Sequence, residues 1–325
     1  MKRVIKLALI ISGLPIITAV FFWKTGYNPF TPFFSDWKFE KTVIAAEQDT
    51  NENPGIIQLK DGCLRLYSHG TMGSGGIMSI FSYSSCDGLN WKFEGKRIER
   101  AAMPAAILIE DGKVRIYFQR GAENDTRQVL MTAISDDGLN FKINETPLLI
   151  TEEGELKDVK TITHLEIIKL NRGYRMYFDE DLKPTDFERY KNEKWTWPVW
   201  RIRSLYSEDG LHWNLEPGIR IDYEQEPLKY MQRAGSSTVI KDGNLYYMYF
   251  NAGFSPWEDL KWWKRFAWSG IYEAVSKDGL NWKIIDKNIF KYGSDPKIVK
   301  MEDGIRIYIS EGDRVINSIE SYIRK

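Results

Sequence analysis

A seven-residue phrase, Ser-x-Asp-Gly-Leu-x-aromatic, recurs four times along this chain and constrains its fold more than any other feature. Asp-Gly between two strand-like runs favours a tight hairpin turn, because glycine accepts a positive φ and aspartate tolerates it. The serine and aspartate side chains can bond nearby backbone amides, which makes a structural role for these acids the favoured interpretation. The repeat predicts one supersecondary unit used several times. The copies begin at Ser85, Ser135, Ser207 and Ser276.

A second pattern runs in step with the first. It consists of an apolar strand, a turn that contains glycine and a second strand that ends in tyrosine. Each unit therefore reads as strand A, turn, strand B, loop, strand C, Asp-Gly turn and strand D. Four-stranded units arranged around a ring describe a β-propeller, and we predict an all-β, five-bladed propeller over residues 35–325. The five copies span 54–67, 104–117, 165–177, 235–249 and 296–308.

The propeller begins with a strand that has no partner near it in sequence. Residues 35–40 match the strands that follow the Asp-Gly turns, whereas the last unit, from Pro296, has strands A to C and no strand D. We expect the N-terminal strand to complete the last blade. That arrangement closes the ring and removes two free sheet edges.

Residues 1–24 are typical of a targeting or anchoring segment. Three basic residues precede an apolar run from Leu7 to Trp23, which Pro15 interrupts. No small-x-small cleavage motif follows the run, so an uncleaved signal-anchor helix is favoured over a cleaved signal peptide. Positive charge before the run keeps the N terminus in the cytoplasm. We therefore expect a linker over 25–34 and a propeller that faces the periplasm or cell exterior, with secretion as the alternative.

Composition argues against a polyanionic partner. The chain has 45 basic and 45 acidic residues, a formal net charge of zero, and neither a Lys/Arg cluster nor a nucleic-acid-binding motif. We expect no nucleic-acid partner. The two cysteines, Cys63 and Cys86, are too few for a disulfide framework. They would pair in an oxidising compartment, but we interpret them as packing residues.

Propeller topology places the Asp-Gly turns on one face and the B–C loops on the other, the loop face. The loops over 179–200 and 251–268 are long, and long loops on one face of a rigid scaffold usually carry function. Some of their aromatic side chains must pack the loops onto the blades. The density of tryptophans still indicates a stacking platform for sugar rings. These residues are Trp195, Trp197, Trp200, Trp257, Trp262, Trp263 and Trp268.

Strand A is innermost in a propeller, so its first residues should surround the axis at the loop face. Aligned on the turns, this ring consists of Asn53, Met103, His164, Ala234 and Asp295. The ends of the B strands add a second tier. His69, in this tier, and His164 lack the spacing of a metal-ligand set, so no metal site is predicted. No cofactor is predicted either. The tier is His69, Gln119, Arg120, Asp179, Glu180, Asn251, Ser310 and Glu311.

This arrangement resembles the five-bladed glycosidases of the arabinanase, invertase and levansucrase type. The resemblance covers about residues 35–325 and rests on the blade count, the turns, and the strand openings Asn53-Pro54, Met103-Pro104 and Asp295-Pro296. The turns also look like the Asp boxes of sialidases, with shifted spacing. The resemblance implies sugar hydrolysis around the propeller axis at the loop face. There the family uses three carboxylates as base or nucleophile, pKa modulator and general acid.

The chain departs from these relatives at the catalytic positions. The family's catalytic aspartate opens strand A of the first blade, where this chain has Asn53, which cannot act as base or nucleophile. His164 and Ala234 stand where relatives often carry acids, and Asp295 alone matches a family carboxylate. Three possibilities stay open: the acids have moved, the chemistry differs, or no reaction is catalysed.

Two classes of function follow. The first is a glycoside hydrolase-like enzyme acting on a cell-surface or periplasmic glycan, with Asp295 and either Asp179 or Glu180 as its acid pair. The second is non-catalytic, either a glycan-binding propeller or a membrane-anchored interaction scaffold. The residues predicted to hold the sugar are Asn53, His69, Arg120, His164, Arg233, Asn251, Trp257 and Glu311.

Overall fold

The computed structural model describes residues 37–44, 52–71, 76–121, 127–182, 199–228, 233–253, 270–290, 293–302, 304–313 and 316–324. These residues form an all-β, five-bladed propeller, as predicted. The expected anchor over 1–24 and the linker over 25–34 lie outside the described residues. Within the described ranges, no helix is long and apolar enough to cross a membrane.

Each blade contains four antiparallel strands, and one parallel pair, Trp200 with Arg233, joins the third and fourth blades into a single sheet. The described chain starts with β1 (Lys38–Ile44), and the first blade contains β2 (Glu52–Gln58), β3 (Leu64–Gly70), β4 (Ser79–Ser85) and β5 (Lys92–Glu99). The second blade contains β6 (Ala102–Leu108), β7 (Val114–Gly121), β8 (Gln128–Ser135) and β9 (Lys142–Ile150), followed by a short 3-10 turn at Gly154–Leu156.

The third blade contains β10 (Thr163–Lys169), β11 (Tyr174–Leu182), β12 (Val199–Ser207) and β13 (Asn214–Leu215). The fourth contains β14 (Arg233–Asp242), β15 (Leu245–Gly253), β16 (Gly270–Ser276) and β17 (Lys283–Phe290). In the last blade, β18 (Ser294–Met301), β19 (Gly304–Asp313) and β20 (Ile316–Arg324) are followed in the sheet by β1.

The Asp-Gly turns are held by their own side chains. In the first turn, Asp87 Oδ1 accepts hydrogen bonds from the amides of Leu89 and Asn90, both at 2.8 Å, and from the Ser85 hydroxyl at 2.9 Å. The backbone amides hold the pKa of Asp87 well below its usual range. Gly88 has a φ of 70°, which explains the glycine at this position. The aspartate side chain makes its hydrogen bonds within the turn, in agreement with the structural role expected for these acids.

A fully buried tyrosine in strand B joins each of these turns to a neighbouring blade. The Tyr117 hydroxyl, for example, donates a 2.8 Å hydrogen bond to the carbonyl of Gly210 in the turn of the third blade. A Cβ added at Gly210 would lie 2.7 Å from that hydroxyl, so a larger residue would displace the contact. The other three bonds are Tyr67 to Gly138, Tyr177 to Gly279 and Tyr308 to Gly88.

β1 lies antiparallel to β20 and makes contacts typical of a strand D. Trp37, just before it, packs edge to face on Tyr249 at 5.8 Å, where the other blades place the aromatic residue of the Asp-Gly phrase. Glu40 accepts two hydrogen bonds from Arg306, at 2.7 and 2.9 Å. The same two-pronged pairing occurs between Arg65 and Glu94 and between Arg175 and Glu216.

Cys63 and Cys86 form a disulfide bond, so the interpretation as packing residues is wrong. The bond joins the A–B turn of the first blade to its Asp-Gly turn. Ion pairs occupy the same place in the next two blades, Lys113 with Asp136 at 3.5 Å and Arg172 with Glu208 at 2.8 Å. Because the two turns of a blade lie side by side on this face, residues far apart in sequence become direct neighbours.

Candidate functional site

Five residues, one from the innermost strand of each blade, line a single cavity on the propeller axis. The backbone of each of them is in the left-handed region. Their φ angles lie between 48° and 52°, and each sits at an irregularity in the pairing of its strand. A bulge bends a strand and re-aims a side chain, and such strained positions cluster at functional sites. The axial ring, as we call this set, is Asn53, Met103, His164, Ser236 and Asp295.

The fourth blade contributes Ser236 to the axial ring, where the alignment on turns predicted Ala234. The glycine of the A–B turn was a poor reference point for aligning the blades, because its distance from the end of strand A varies. Gly243 is the first residue after β14, whereas Gly62 is the fourth after β2. The buried tyrosine of strand B is a better one. In every blade the ring residue lies two positions before the residue that pairs with this tyrosine, as Ser236 does before Thr238, the partner of Tyr249.

His164 lies between two aspartates. Its Nδ1 is 2.9 Å from Asp179 Oδ2, in an ion pair that is not aligned as a hydrogen bond, and its Nε2 is 3.9 Å from Asp295 Oδ1. Burial opposes the charged form of the imidazole, but Asp179, Asp295 and Asp181 together raise the pKa of His164 to about 9. Burial raises the pKa of Asp179 as well, whereas His164 and the Ser236 amide act to lower it. The pKa of His164 favours a charged imidazole at neutral pH, and the ring separates the two carboxylates.

The second predicted histidine is in the opposite protonation state. Burial lowers the pKa of His69 to about 4, although Asp295 acts to raise it. The Met103 amide donates to His69 Nδ1 at 3.3 Å, so the proton of the neutral ring is on Nε2. The site thus combines one imidazolium and one neutral imidazole.

Asp295 is the acid of the axial ring. Its side chain is 9% exposed and lines the cavity, and the Ser294 hydroxyl donates to its Oδ2 at 3.0 Å. Asn53 lines the same cavity. Asn251 lies at one side, where its Nδ2 donates to the Gly293 carbonyl at 3.0 Å and so fixes the backbone that leads to Asp295.

Two of the predicted acids do not reach the cavity. Asp179 is fully buried behind His164. Glu180 points to the other face of β11, because neighbouring residues in a strand alternate. There it accepts hydrogen bonds from Arg201 Nε at 2.6 Å and Arg203 Nη1 at 3.3 Å. These contacts favour a structural role for Glu180.

The remaining predicted residues are not brought to the axial ring by the described contacts. Arg120 lies in a groove between the first two blades, where its Nη1 is 3.9 Å from Glu145. Trp257 lies outside the described residues, and of Arg233 and Glu311 only the backbone is described. Trp200, from the predicted platform, is described, and its ring centroid is 5.2 Å from that of His164.

Sequence reasoning missed a buried layer beneath the ring. Lys297 and Glu166 form an ion pair there, and Glu166 Oε1 also accepts from the Thr238 hydroxyl and the Val239 amide, both at 3.1 Å. Burial lowers the pKa of Lys297 to about 7. A signal was present, since Glu166 and Lys297 are charged residues that each stand two positions after a residue of the axial ring, His164 and Asp295.

Asp181 was also missed. It follows Asp179 by two residues on β11, and burial together with the charge of Asp179 raises its pKa to about 7. Its Oδ1 is buried without a hydrogen-bond partner. The Asp179-Glu180-Asp181 run in the sequence was the available signal.

No protein-family model and no curated protein matches the sequence. Similar solved structures include a thermostable family-43 glycoside hydrolase, with a TM-score of 0.63, 14% identity, and coverage of 87% of this chain and 92% of that one. The fold is that of the five-bladed glycoside hydrolases.

Two further structures agree on this fold. A family 117 glycoside hydrolase from the marine bacterium Zobellia galactanivorans has a TM-score of 0.63 at 12% identity, over 89% of this chain and 90% of that one. An α-L-arabinofuranosidase from Lactobacillus brevis has a TM-score of 0.57 at 9% identity, over 87% and 92%.

Proposed function

We propose that this protein is a carbohydrate-active propeller of the glycoside hydrolase type, which binds and cleaves a glycan over the axial ring. The observation that carries the proposal is the pairing of Asp295 with His164 in the axial cavity of a glycoside hydrolase fold. A carboxylate and an imidazolium at one opening supply both an acceptor and a charged donor for sugar oxygens. Neither charge is required by blade packing, because the equivalent ring positions hold Asn53, Met103 and Ser236.

The roles of these two groups follow from their charges. Glycoside hydrolysis develops positive charge at the anomeric carbon and needs a proton for the departing oxygen. The Asp295 carboxylate would stabilise that positive charge, and His164, a cation at neutral pH, would donate its Nε2 proton to the departing oxygen as the glycosidic bond breaks. A water molecule would then attack the anomeric carbon and return a proton to His164 Nε2, which completes the hydrolysis. Their separation of 3.9 Å would allow both groups, Asp295 and His164, to contact the same sugar.

A non-catalytic glycan-binding propeller is the second candidate. Asn53 occupies the position at which the similar glycosidases are expected to carry a catalytic aspartate, and Asp179 is fully buried. Among the described residues, Asp295 is therefore the acid that lines the axial cavity. The same ring would then hold hydroxyl groups without cleaving the glycosidic bond.

Asp295→Asn tests the proposal and separates the two candidates. Binding to an oligosaccharide array and release of reducing ends would be measured on both proteins, with Asp136→Asn on the opposite face as the control. For an enzyme we expect turnover to fall by about 100- to 10,000-fold. For a binding protein we expect affinity to fall by about 10- to 100-fold, the scale of one charged hydrogen bond. A folded wild type that binds and cleaves no glycan would overturn the proposal.

We also propose that residues 1–24 anchor the protein and that the propeller lies in the periplasm or at the cell exterior, where it meets surface glycans. The Cys63–Cys86 disulfide supports this location, because such bonds persist in oxidising compartments. Recovery of the full-length chain from the soluble cytoplasm in reduced form would contradict it. Protease accessibility in intact cells and spheroplasts gives the orientation.

A further inference from the structure

Asp179 joins two blades at the back of the site. It comes from β11 of the third blade, and its Oδ2 accepts a 2.7 Å hydrogen bond from the Ser236 amide in the fourth. The same oxygen lies 2.9 Å from His164 Nδ1, and Oδ1 is buried without a hydrogen-bond partner. Because Asp179 is fully buried, a ligand in the axial cavity meets His164 and not this carboxylate.

Gly235 makes room for this carboxylate. A Cβ added there would lie 2.2 Å from Asp179 Oδ2 and 2.6 Å from its Cγ, closer than any real contact. The φ of Gly235 is not in the left-handed region, so the carboxylate and not the backbone excludes a side chain. The other four blades place Glu52, Ala102, Thr163 and Ser294 at this position. Glycine is needed only where the neighbouring blade carries the buried aspartate.

Several groups face the imidazole of His164. Asp179 and Asp181 act on it from β11, Asp295 from β18, and His69 from the first blade. The Trp200 ring lies 5.2 Å away. Of these groups, Asp179 has the shortest charged contact, and it faces the nitrogen opposite the one that points to Asp295.

We propose that Asp179 is a positioning residue, which fixes the ring of His164 and keeps it charged so that Nε2 faces Asp295 and the ligand. Gly235 and the Ser236 amide form the seat for its carboxylate. The part of this inference that concerns ligand chemistry rests on the proposed function, whereas the charge state of His164 does not. A carboxylate on the far side of an imidazole favours the protonated ring and sets its orientation.

The chain offers a direct measurement, because it contains only three histidines. The full-length protein, labelled with ¹³C at histidine, would be titrated by NMR, and His164→Asn would assign its resonance. In the wild type we expect the His164 resonance to titrate above pH 8. Asp179→Asn should lower this midpoint by about one pH unit or more, since it removes the nearest negative charge. A wild-type midpoint below pH 7 overturns the proposal.

Gly235→Ala is the second variant, because it displaces the carboxylate without changing its charge. We expect it to lower the His164 midpoint in the same direction as Asp179→Asn. Asp209→Asn is the matched control, since it removes a carboxylate 2.7 Å from the ring of the exposed His212. It should leave the His164 midpoint unchanged. A His164 midpoint that both Asp179→Asn and Gly235→Ala leave unchanged overturns the proposal.

The pH dependence of glycan binding or cleavage completes the test. Where the wild type acts on a glycan, Asp179→Asn should shift the alkaline limb of its pH profile by the same amount as the NMR midpoint. An unshifted limb, with the NMR midpoint also unchanged, refutes the positioning role while the proposed function stands. Absence of any glycan activity refutes the proposed function, and the NMR titration still decides the charge state of His164.

Discussion

The hydroxyl of Tyr308, in the last blade, donates a 3.0 Å hydrogen bond to the carbonyl of Gly88, in the Asp-Gly turn of the first blade. The Trp91 ring from the same turn packs edge to face on Tyr308 at 5.7 Å. Arg306 adds a hydrogen bond to the carbonyl of Asp87 at 3.0 Å. The contact between the last and first blades is therefore the same as the contacts that the first three blades make through Tyr67, Tyr117 and Tyr177. The Asp-Gly phrase forms the contact between blades in these four places.

The first prediction concerns this contact between blades. Tyr117→Phe removes a buried hydroxyl and leaves the Gly210 carbonyl without its partner, so it should lower the free energy of unfolding by about 1–3 kcal/mol. Tyr206→Phe is the control, because its longer 3.3 Å bond to the Arg172 carbonyl is exposed. Urea unfolding followed by tryptophan fluorescence measures both variants. Equal losses would show that the buried bond between blades has no special weight.

The second prediction concerns β1. Trp37 is 5% exposed and packs on Tyr249 and Phe290, so Trp37→Ala should destabilise the protein by about 3–5 kcal/mol. Phe39→Ala, in the same strand, should change stability much less because Phe39 is 56% exposed. Deletion of 37–44 should remove the outer strand of the last blade and cause aggregation. A soluble deletion variant that melts cooperatively would contradict the role assigned to β1.

The third prediction concerns the disulfide. The bond links residues 23 positions apart, and closing a loop of this length stabilises a fold by about 3 kcal/mol in the chain-entropy model. The double change Cys63→Ser and Cys86→Ser should lower stability by that amount under oxidising conditions. Reductant should lower the stability of the wild type and leave the variant unaffected. A variant as stable as the oxidised wild type would argue against the bond.

The fourth prediction concerns pH. The pKa of His164 rises from about 6.5 to about 9 on folding, so its charged form contributes stability that is present below pH 6.5. That contribution is lost as the pH rises through 9. The difference in free energy of unfolding between wild type and His164→Asn should therefore shrink across this window. His212→Asn, which restores the asparagine of three other turns, is the control. A pH-independent difference for His164→Asn would refute the assigned charge state.

The architecture could be predicted because it depends on short sequence motifs that repeat once per blade. The side chain of each Asp-Gly phrase accepts hydrogen bonds from backbone amides of the same turn. Asp87 and its equivalents therefore indicate a turn independently of the surrounding structure. The blade count and the register of the turns followed from such signals. The ring position in the fourth blade did not, because it depends on how far β14 runs before Gly243, a property of strand pairing.

The candidate site could be predicted only in part. Position in the strand correctly brought Asp295, His164 and Asn53 to the axis. Charge partners were harder to predict, because they come from different strands and, for His164 and Asp295, from different blades. Nothing in the sequence near Asp179 indicates that its carboxylate faces His164 while Glu180, one residue later, faces Arg201 and Arg203. Those choices follow from the alternation of β11 and from the place that Gly235 leaves open.

The pairing of Lys38 with Ile323 has a topological consequence. Arg324 pairs with Ile305 as Ser85 pairs with Leu64, so the end of β20 occupies the place of the first residue of an Asp-Gly phrase. Changing Arg324 to serine and joining Lys325 to Trp37 through Asp-Gly-Leu-Asn would supply a fifth phrase and offer Tyr249 a glycine carbonyl. Residues 37–325 would then form a covalent circle, which could be reopened at any of the other four turns. The blades of this propeller therefore have a cyclic order but no structurally required first member.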